Sequence, residues 1–193
     1  SISQKRSMSL SKILSGVGIM LLRNIILTIV SFIAIVFFPR IFGVEQFGYF
    51  QLYLLYNSFA ALLHLGLNDG IYLRYGGIPY SEIDETKVYS QFWILILFEL
   101  AVCVLLGYLF DVFLDGVRVY VIWYSLCSAI IVIPRGMLVF LLQTTNQIEQ
   151  AALVLILEKL IYLVVAVIFV SLTSEQRFWI LVLSDLVGKF VSL

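Results

Sequence analysis

Residues 18–32 read GIMLLRNIILTIVSF, an apolar run broken near its middle by Arg23 and Asn24. The block around it spans about residues 13–38, enough for a bilayer crossing, which takes roughly 20 residues of helix. An arginine at the centre of a membrane helix costs roughly 2.5–3.5 kcal/mol on insertion-based scales. Such a residue needs either a partner inside a helix bundle or a task there.

The chain has 193 residues, of which 62% are hydrophobic and 12% charged, with a mean hydropathy of +1.07. A water-soluble domain of this size needs more polar surface. The apolar residues lie in blocks rather than in amphipathic alternation, which makes the chain an integral membrane protein, all-α in class. Net charge is zero, so there is no electrostatic case for nucleic acid or for an acidic partner. Cys103 and Cys127 lie inside apolar blocks, far from any CxxC spacing, and read as small apolar fillers.

The apolar blocks give about six spans, near 13–38, 47–72, 89–110, 118–142, 150–172 and 177–193. PRIFGVEQ, GGIPYSEIDETK, DVFLDG, QTTNQIEQ and TSEQR separate them, each with turn or charge signals. Only GGIPYSEIDETK has room for structure of its own, a short interfacial helix opened by Glu82, Asp84 and Glu85. The basic start (Lys5, Arg6, Lys12) precedes a run too long for a signal peptide and lacking a small-residue cleavage site. It therefore reads as a cytoplasmic amino end, which also places Arg74, Lys87 and Lys189 inside and Arg40, Arg118 and Arg177 outside. The polar pattern of the sixth span still runs at residue 193, so the sequence reads as part of a longer transporter.

Each span carries a polar row at helical spacing. Asn24, Thr28 and Ser31 share a face of the first, with Arg23 beside them. Asn57, Ala61, His64 and Asn68 line the second. Gln91, Glu99 and Cys103 follow in the third, and Tyr124, Ser128 and Arg135 in the fourth. Glu158, Lys159 and Tyr162 lie mid-way along the fifth, and Asp185 and Lys189 along the sixth. Such residues face a bundle interior or a water-filled cavity rather than lipid.

One reading of these rows is plain pairing: Asp185 with Lys189, Glu158 with Lys159, Arg23 with Glu99, and serines as helix–helix glue. The other gives Arg23 and Arg135 a task, because a guanidinium stays charged and its fork of donors fits phosphate. Pro134 would open the fourth helix around a cavity. Cavity contacts would then come from Arg23, Asn24, Asn57, His64, Asn68, Tyr124 and Arg135, while Glu99, Glu158 and Asp185 are candidates for coupling to H⁺ or Na⁺. No Ser/His/Asp set, HExxH motif or metal-ligand spacing is present and the connections are short, so an enzyme is not expected.

The run RIFGVEQFGYFQLYLLYNSFAALLHLGLNDGIYLRYGG, residues 40–77, resembles the oligosaccharide flippases of bacterial surface polysaccharide synthesis. It carries an F-G-x-F/Y element at Phe47–Phe50 and an L-G-L-x-x-G element at Leu65–Gly70 followed by Arg74. Arg135, Gly136 and Gln143 are similar to the family's fourth helix, and SDLVGK, Ser184–Lys189, to its sixth. The resemblance covers essentially the whole chain. It implies the amino-terminal lobe of a two-lobe transporter of 12–14 helices, in the superfamily that also holds multidrug exporters. It further implies flipping of an undecaprenyl-diphosphate-linked oligosaccharide across the cytoplasmic membrane for O-antigen, capsule or exopolysaccharide, by alternating access. A monomer working beside polymerase and ligase machinery, with no cofactor, is part of the same expectation. A small-molecule exporter of the same architecture and a non-transporting membrane scaffold are the alternatives.

Overall fold

The computed structural model describes residues 2–60, 62–64, 66–78, 80–145, 147–173 and 177–193, with side chains for these except 2–15, 60, 72 and 80. Among the described residues every regular element is helical: α1 (Ile2–Ala60), α2 (Leu67–Tyr75), a 3₁₀ turn (Tyr80–Glu82), α3 (Glu85–Phe113), α4 (Val117–Thr144), α5 (Ile148–Leu172) and α6 (Phe178–Val191). Four stretches are long and apolar enough to cross a membrane: Gly16–Phe59, Glu85–Phe113, Val117–Thr144 and Ile148–Leu172. Outward positions such as Leu97, Val104 and Leu105 on α3, and Leu153, Leu157 and Val164 on α5, are exposed and apolar. That is the arrangement a hydrocarbon solvent requires.

The first of these stretches has 44 residues, about 66 Å of helix at about 1.5 Å per residue, roughly twice the hydrocarbon thickness. It does not run straight. Gly43 has φ 78° and ψ 160°, a backbone conformation open to glycine and strained for a residue with a Cβ. Beyond it the chain folds back. Val30 and Ser31 before Gly43 line the same small cavity as Gln51 and Leu54 after it. Phe38 and Phe50, from the two arms, both meet the ring of Tyr162, at centroid distances of 6.1 and 6.2 Å. The expected break at PRIFGVEQ is thus sharper than its sequence signals: helix continues through Pro39 and is interrupted at Gly43 alone.

Three further expectations are corrected. The second span, placed at 47–72, is not continuous, because α1 ends at Ala60 and α2 begins only at Leu67, behind Gly66 at φ 80°. Glu82, Asp84 and Glu85 do not open a helix of their own. Glu82 ends the 3₁₀ turn, and Asp84 caps α3, its carboxylate accepting from the backbone N–H of Thr86 (3.1 Å) and Lys87 (3.3 Å). The sixth span is a helix of 14 residues, about 21 Å long, short of a full crossing. In the chain's fifth connection, residues 174–176 lie outside the described ones, as do Ala61 and Leu65.

α4 is the partition of the bundle. One of its faces joins a cluster with Phe38, Phe50, Tyr53, Tyr162 and Phe178 through Val121. The other joins Ile71, Leu95 and Cys103 through Ile122, Leu126 and Met137. Pro134 is fully buried and α4 runs unbroken through it, so it does not splay the helix around a cavity.

Candidate functional site

The charged residues of α4, α5 and α6 converge on the first side of that partition. Arg135 is ion-paired with Glu158. Lys159, next along α5, reaches Glu158 at 3.5 Å and Asp185 at 3.6 Å. Lys189, one turn beyond Asp185, closes on it at 2.5 Å. The result is a chain of alternating charge, Arg135–Glu158–Lys159–Asp185–Lys189, inside apolar helices.

Neutral groups complete the outer links. The Tyr53 hydroxyl donates to Asp185 Oδ2 at 2.8 Å, Lys189 donates to Ser128 Oγ at 2.9 Å, and Arg135 donates to Ser192 Oγ at 3.1 Å. Lys189 also lies 5.4 Å from the centroid of the Tyr53 ring, within cation–π range. Buried charges persist in low dielectric only when paired and hydrogen-bonded in this way.

The close approach of α5 and α6 is what brings the links into register. A Cβ on Gly188 would stand 2.6 Å from the carbonyl oxygen of Glu158, so only glycine permits this spacing. Asp185 is 1% exposed and Arg135 8%. Lys159 differs, its side chain being 31% exposed. It borders a cavity of about 170 Å³ between the two arms of α1, α5 and α6, lined also by Ser31, Gln51, Tyr162 and Asp185.

The sequence-derived candidates divide sharply. Arg135, Glu158 and Asp185 belong to the ladder. Arg23 does not: it is half-buried, and its guanidinium donates to Asn24 Oδ1 of its own helix at 3.2 and 2.8 Å. Asn24 is exposed, and its carbonyl accepts from Thr28. The expected pair of Arg23 with Glu99 is absent among the described residues. Glu99 is 0% exposed and sits on the far side of α4, where Cys103 Sγ lies 3.6 Å from its Oε1 and its Oε2 has no partner among the described residues.

Neither of the buried amide atoms of Asn57 makes a hydrogen bond among the described residues. Asn68, buried, donates to the Ile133 carbonyl beside Pro134 at 3.2 Å. His64 stays within the turn between α1 and α2, its Nδ1 accepting from the Gly66 N–H. Tyr124 packs edge-on against Phe178 with a centroid distance of 6.1 Å. Lys189, placed by sequence among the inside loop charges, is instead 6% exposed within the bundle, so it carries no orientation signal.

Sequence reasoning missed Tyr53 and Lys159 as site residues. Tyr53 stands one helical turn before Asn57 and so extends the same row, as Tyr124 and Tyr162 belong to theirs. Lys159 was visible, but only as a neighbour of Glu158. Searches of protein-family models, of curated proteins and of solved structures found no match to this chain.

Proposed function

We propose that the chain is the amino-terminal helical lobe of a transporter that moves a lipid with an anionic head group across a bilayer. The resemblance in sequence narrows that lipid to an undecaprenyl-diphosphate-linked oligosaccharide and the bilayer to a bacterial cytoplasmic membrane, amino terminus inside. The lobe then consists of six helical segments, the two arms of α1, α3, α4, α5 and the shorter α6, with a second lobe completing the pathway. One observation carries the reading: a ladder of five charges with cations in excess, four of them buried, among helices built to face hydrocarbon. Ionisable groups at such depth are costly and mark substrate or ion pathways. Three cations against two carboxylates favour an anionic cargo over the cationic drugs of an exporter.

A static scaffold is the second reading, favoured by the closure of Arg135 on Glu158 and of Lys189 on Asp185. The test uses cells lacking the full-length gene. Undecaprenyl-linked oligosaccharide should accumulate on the cytoplasmic leaflet, wild type should clear it, and Arg135→Gln should not. A null strain without accumulation removes the flippase reading and leaves the scaffold.

A further inference from the structure

On the side of α4 away from the ladder, where α3 begins and α4 ends, a cleft of about 300 Å³ opens between the two helices. Its floor is apolar, made by Val88, Phe92, Leu138 and Leu141. Val88 and Phe92 pack on the buried cluster to which Leu141 belongs. The α3 rim has another character. Glu85, Tyr89 and Trp93 line the cleft at i, i+4 and i+8, one face of the helix. Tyr89 is 64% exposed and Trp93 47%, and their rings meet edge to face at a centroid distance of 6.0 Å.

Glu85 is the unbalanced charge at this end of the bundle. Asp84 caps α3 and holds Lys87 at 3.0 Å, whereas the Glu85 carboxylate has no ion pair or hydrogen bond among the described residues. No lysine or arginine lines the cleft. A carboxylate beside exposed aromatic rings, over an apolar floor, attracts an organic ammonium, because the ring faces add cation–π attraction to the ion pair. Depth indicates the source of that ammonium. α3 has 29 residues, about 44 Å of helix against about 30 Å of hydrocarbon. Centred in a bilayer, it projects about 7 Å beyond each face, which puts Glu85 in the head-group layer. Trp93, about 12 Å further along, then lies just inside the hydrocarbon. Tyrosine and tryptophan at this level form an ordinary interfacial belt, and it is the carboxylate that adds a preference. A ligand with its cation at the surface and its apolar part below is a membrane lipid.

We infer that this cleft binds a phospholipid with a primary-ammonium head group, of the ethanolamine class. The ammonium rests on Glu85 and the Tyr89 ring, and one acyl chain lies over Phe92, Leu138 and Leu141. A primary ammonium has three N–H donors for the carboxylate. A choline head group has none, and a glycerol head group leaves only the negative phosphate facing Glu85. The bound lipid ties the first turns of α3 to the last turns of α4. This site is independent of the transport reading and requires only that α3 and α4 cross a membrane.

The experiment titrates the full-length protein in detergent micelles with phosphatidylethanolamine, phosphatidylcholine and phosphatidylglycerol of matched chains, and reads bound lipid by native mass spectrometry. Wild type is expected to bind the ethanolamine lipid about fivefold more tightly than the choline lipid, the scale of an exposed ion pair joined by a cation–π contact. The glycerol lipid should bind most weakly. Glu85→Gln should erase the preference and Tyr89→Leu should reduce it. Both positions are exposed, so neither change threatens the fold. Glu82→Gln, in the preceding 3₁₀ turn and outside the cleft, should leave the preference intact. Equal binding of the ethanolamine and choline lipids by wild type overturns the site, as does a preference that survives Glu85→Gln. A loss in Glu82→Gln as large as in Glu85→Gln would replace the cleft with a diffuse acidic surface. Chain-free phosphoethanolamine that competes as well as the lipid would assign the cleft to a soluble ammonium and overturn the lipid.

Discussion

Two arginines of this chain occupy apolar helices and end in opposite circumstances. Arg135 is 8% exposed and tied to Glu158 on the next helix. Arg23 is half-buried, and the partner it holds is the amide of the adjacent Asn24. Helical spacing gave both the same credentials. What separates them is what the neighbouring helix brings to the contact, so the cost of a membrane arginine locates a question and not its answer.

The comparison breaks most directly by deleting each arginine. Arg135→Gln leaves Glu158 buried with only the distant Lys159, and loss of one partner from a buried pair costs about 3–5 kcal/mol. Arg23→Gln should cost less than about 1 kcal/mol, as for other weakly partnered surface charges. Unfolding in mixed micelles, read by circular dichroism, measures both. Equal losses would mean that Arg23 has a buried partner after all.

A smaller effect should come from backbone spacing. Gly188→Ala drives a methyl group against the Glu158 carbonyl and should cost about 1–3 kcal/mol by overpacking. Gly18→Ala, beside Arg23, meets nothing within 4 Å and should be neutral, or stabilising by up to about 1 kcal/mol from helix propensity. The same micelle assay ranks them, and a neutral Gly188→Ala would deny the close approach of α5 to α6.

The smallest effect belongs to a pair outside the hydrocarbon. Asp84 meets Lys87 at 3.0 Å on the exposed edge of α3, and the hydrogen bond from Lys87 holds the Asp84 carboxyl below the usual aspartate range. A depressed carboxyl contributes stability above its unfolded pKa, and that contribution is lost as pH falls through the folded one. The first turn of α3 should therefore exchange its amide hydrogens faster in the acid range below the ordinary aspartate pKa, with Asp84→Asn abolishing the dependence. A pH-independent first turn would show that this cap is not held by charge.

What was legible in the sequence follows from which forces are local. Helices α3, α4 and α5 start and stop within a few residues of the apolar blocks, because hydropathy and length are properties of one segment. The fold-back lay within a marked connection, PRIFGVEQ, but glycine rather than proline makes the turn, since proline can remain in a helix where neighbours satisfy its backbone. The break between α1 and α2 was not legible, because HLGL reads as apolar helix, whereas Gly66 is left-handed. In the site, Glu158 and Asp185 stood out as isolated carboxylates. That they share Lys159, and that Tyr53 joins them from 132 residues away, depends on helix packing that no single row encodes.

The arrangement of the ladder also bears on how the chain is made. A translocon releases helices singly or as hairpins, and a central arginine or aspartate costs roughly 2.5–3.5 kcal/mol if it enters lipid alone. Asp185 and Lys189 sit one turn apart in α6, so that helix arrives with its charges matched. Arg135 and Glu158 lie on α4 and α5, adjacent helices joined by residues 145–147, and can neutralise each other as that hairpin leaves the pore. Lys159 shares Glu158 with Arg135 in that hairpin, and only α6 brings it a second carboxylate, Asp185. The ladder residue left most open in the finished bundle is also the last to gain its full complement of partners during synthesis.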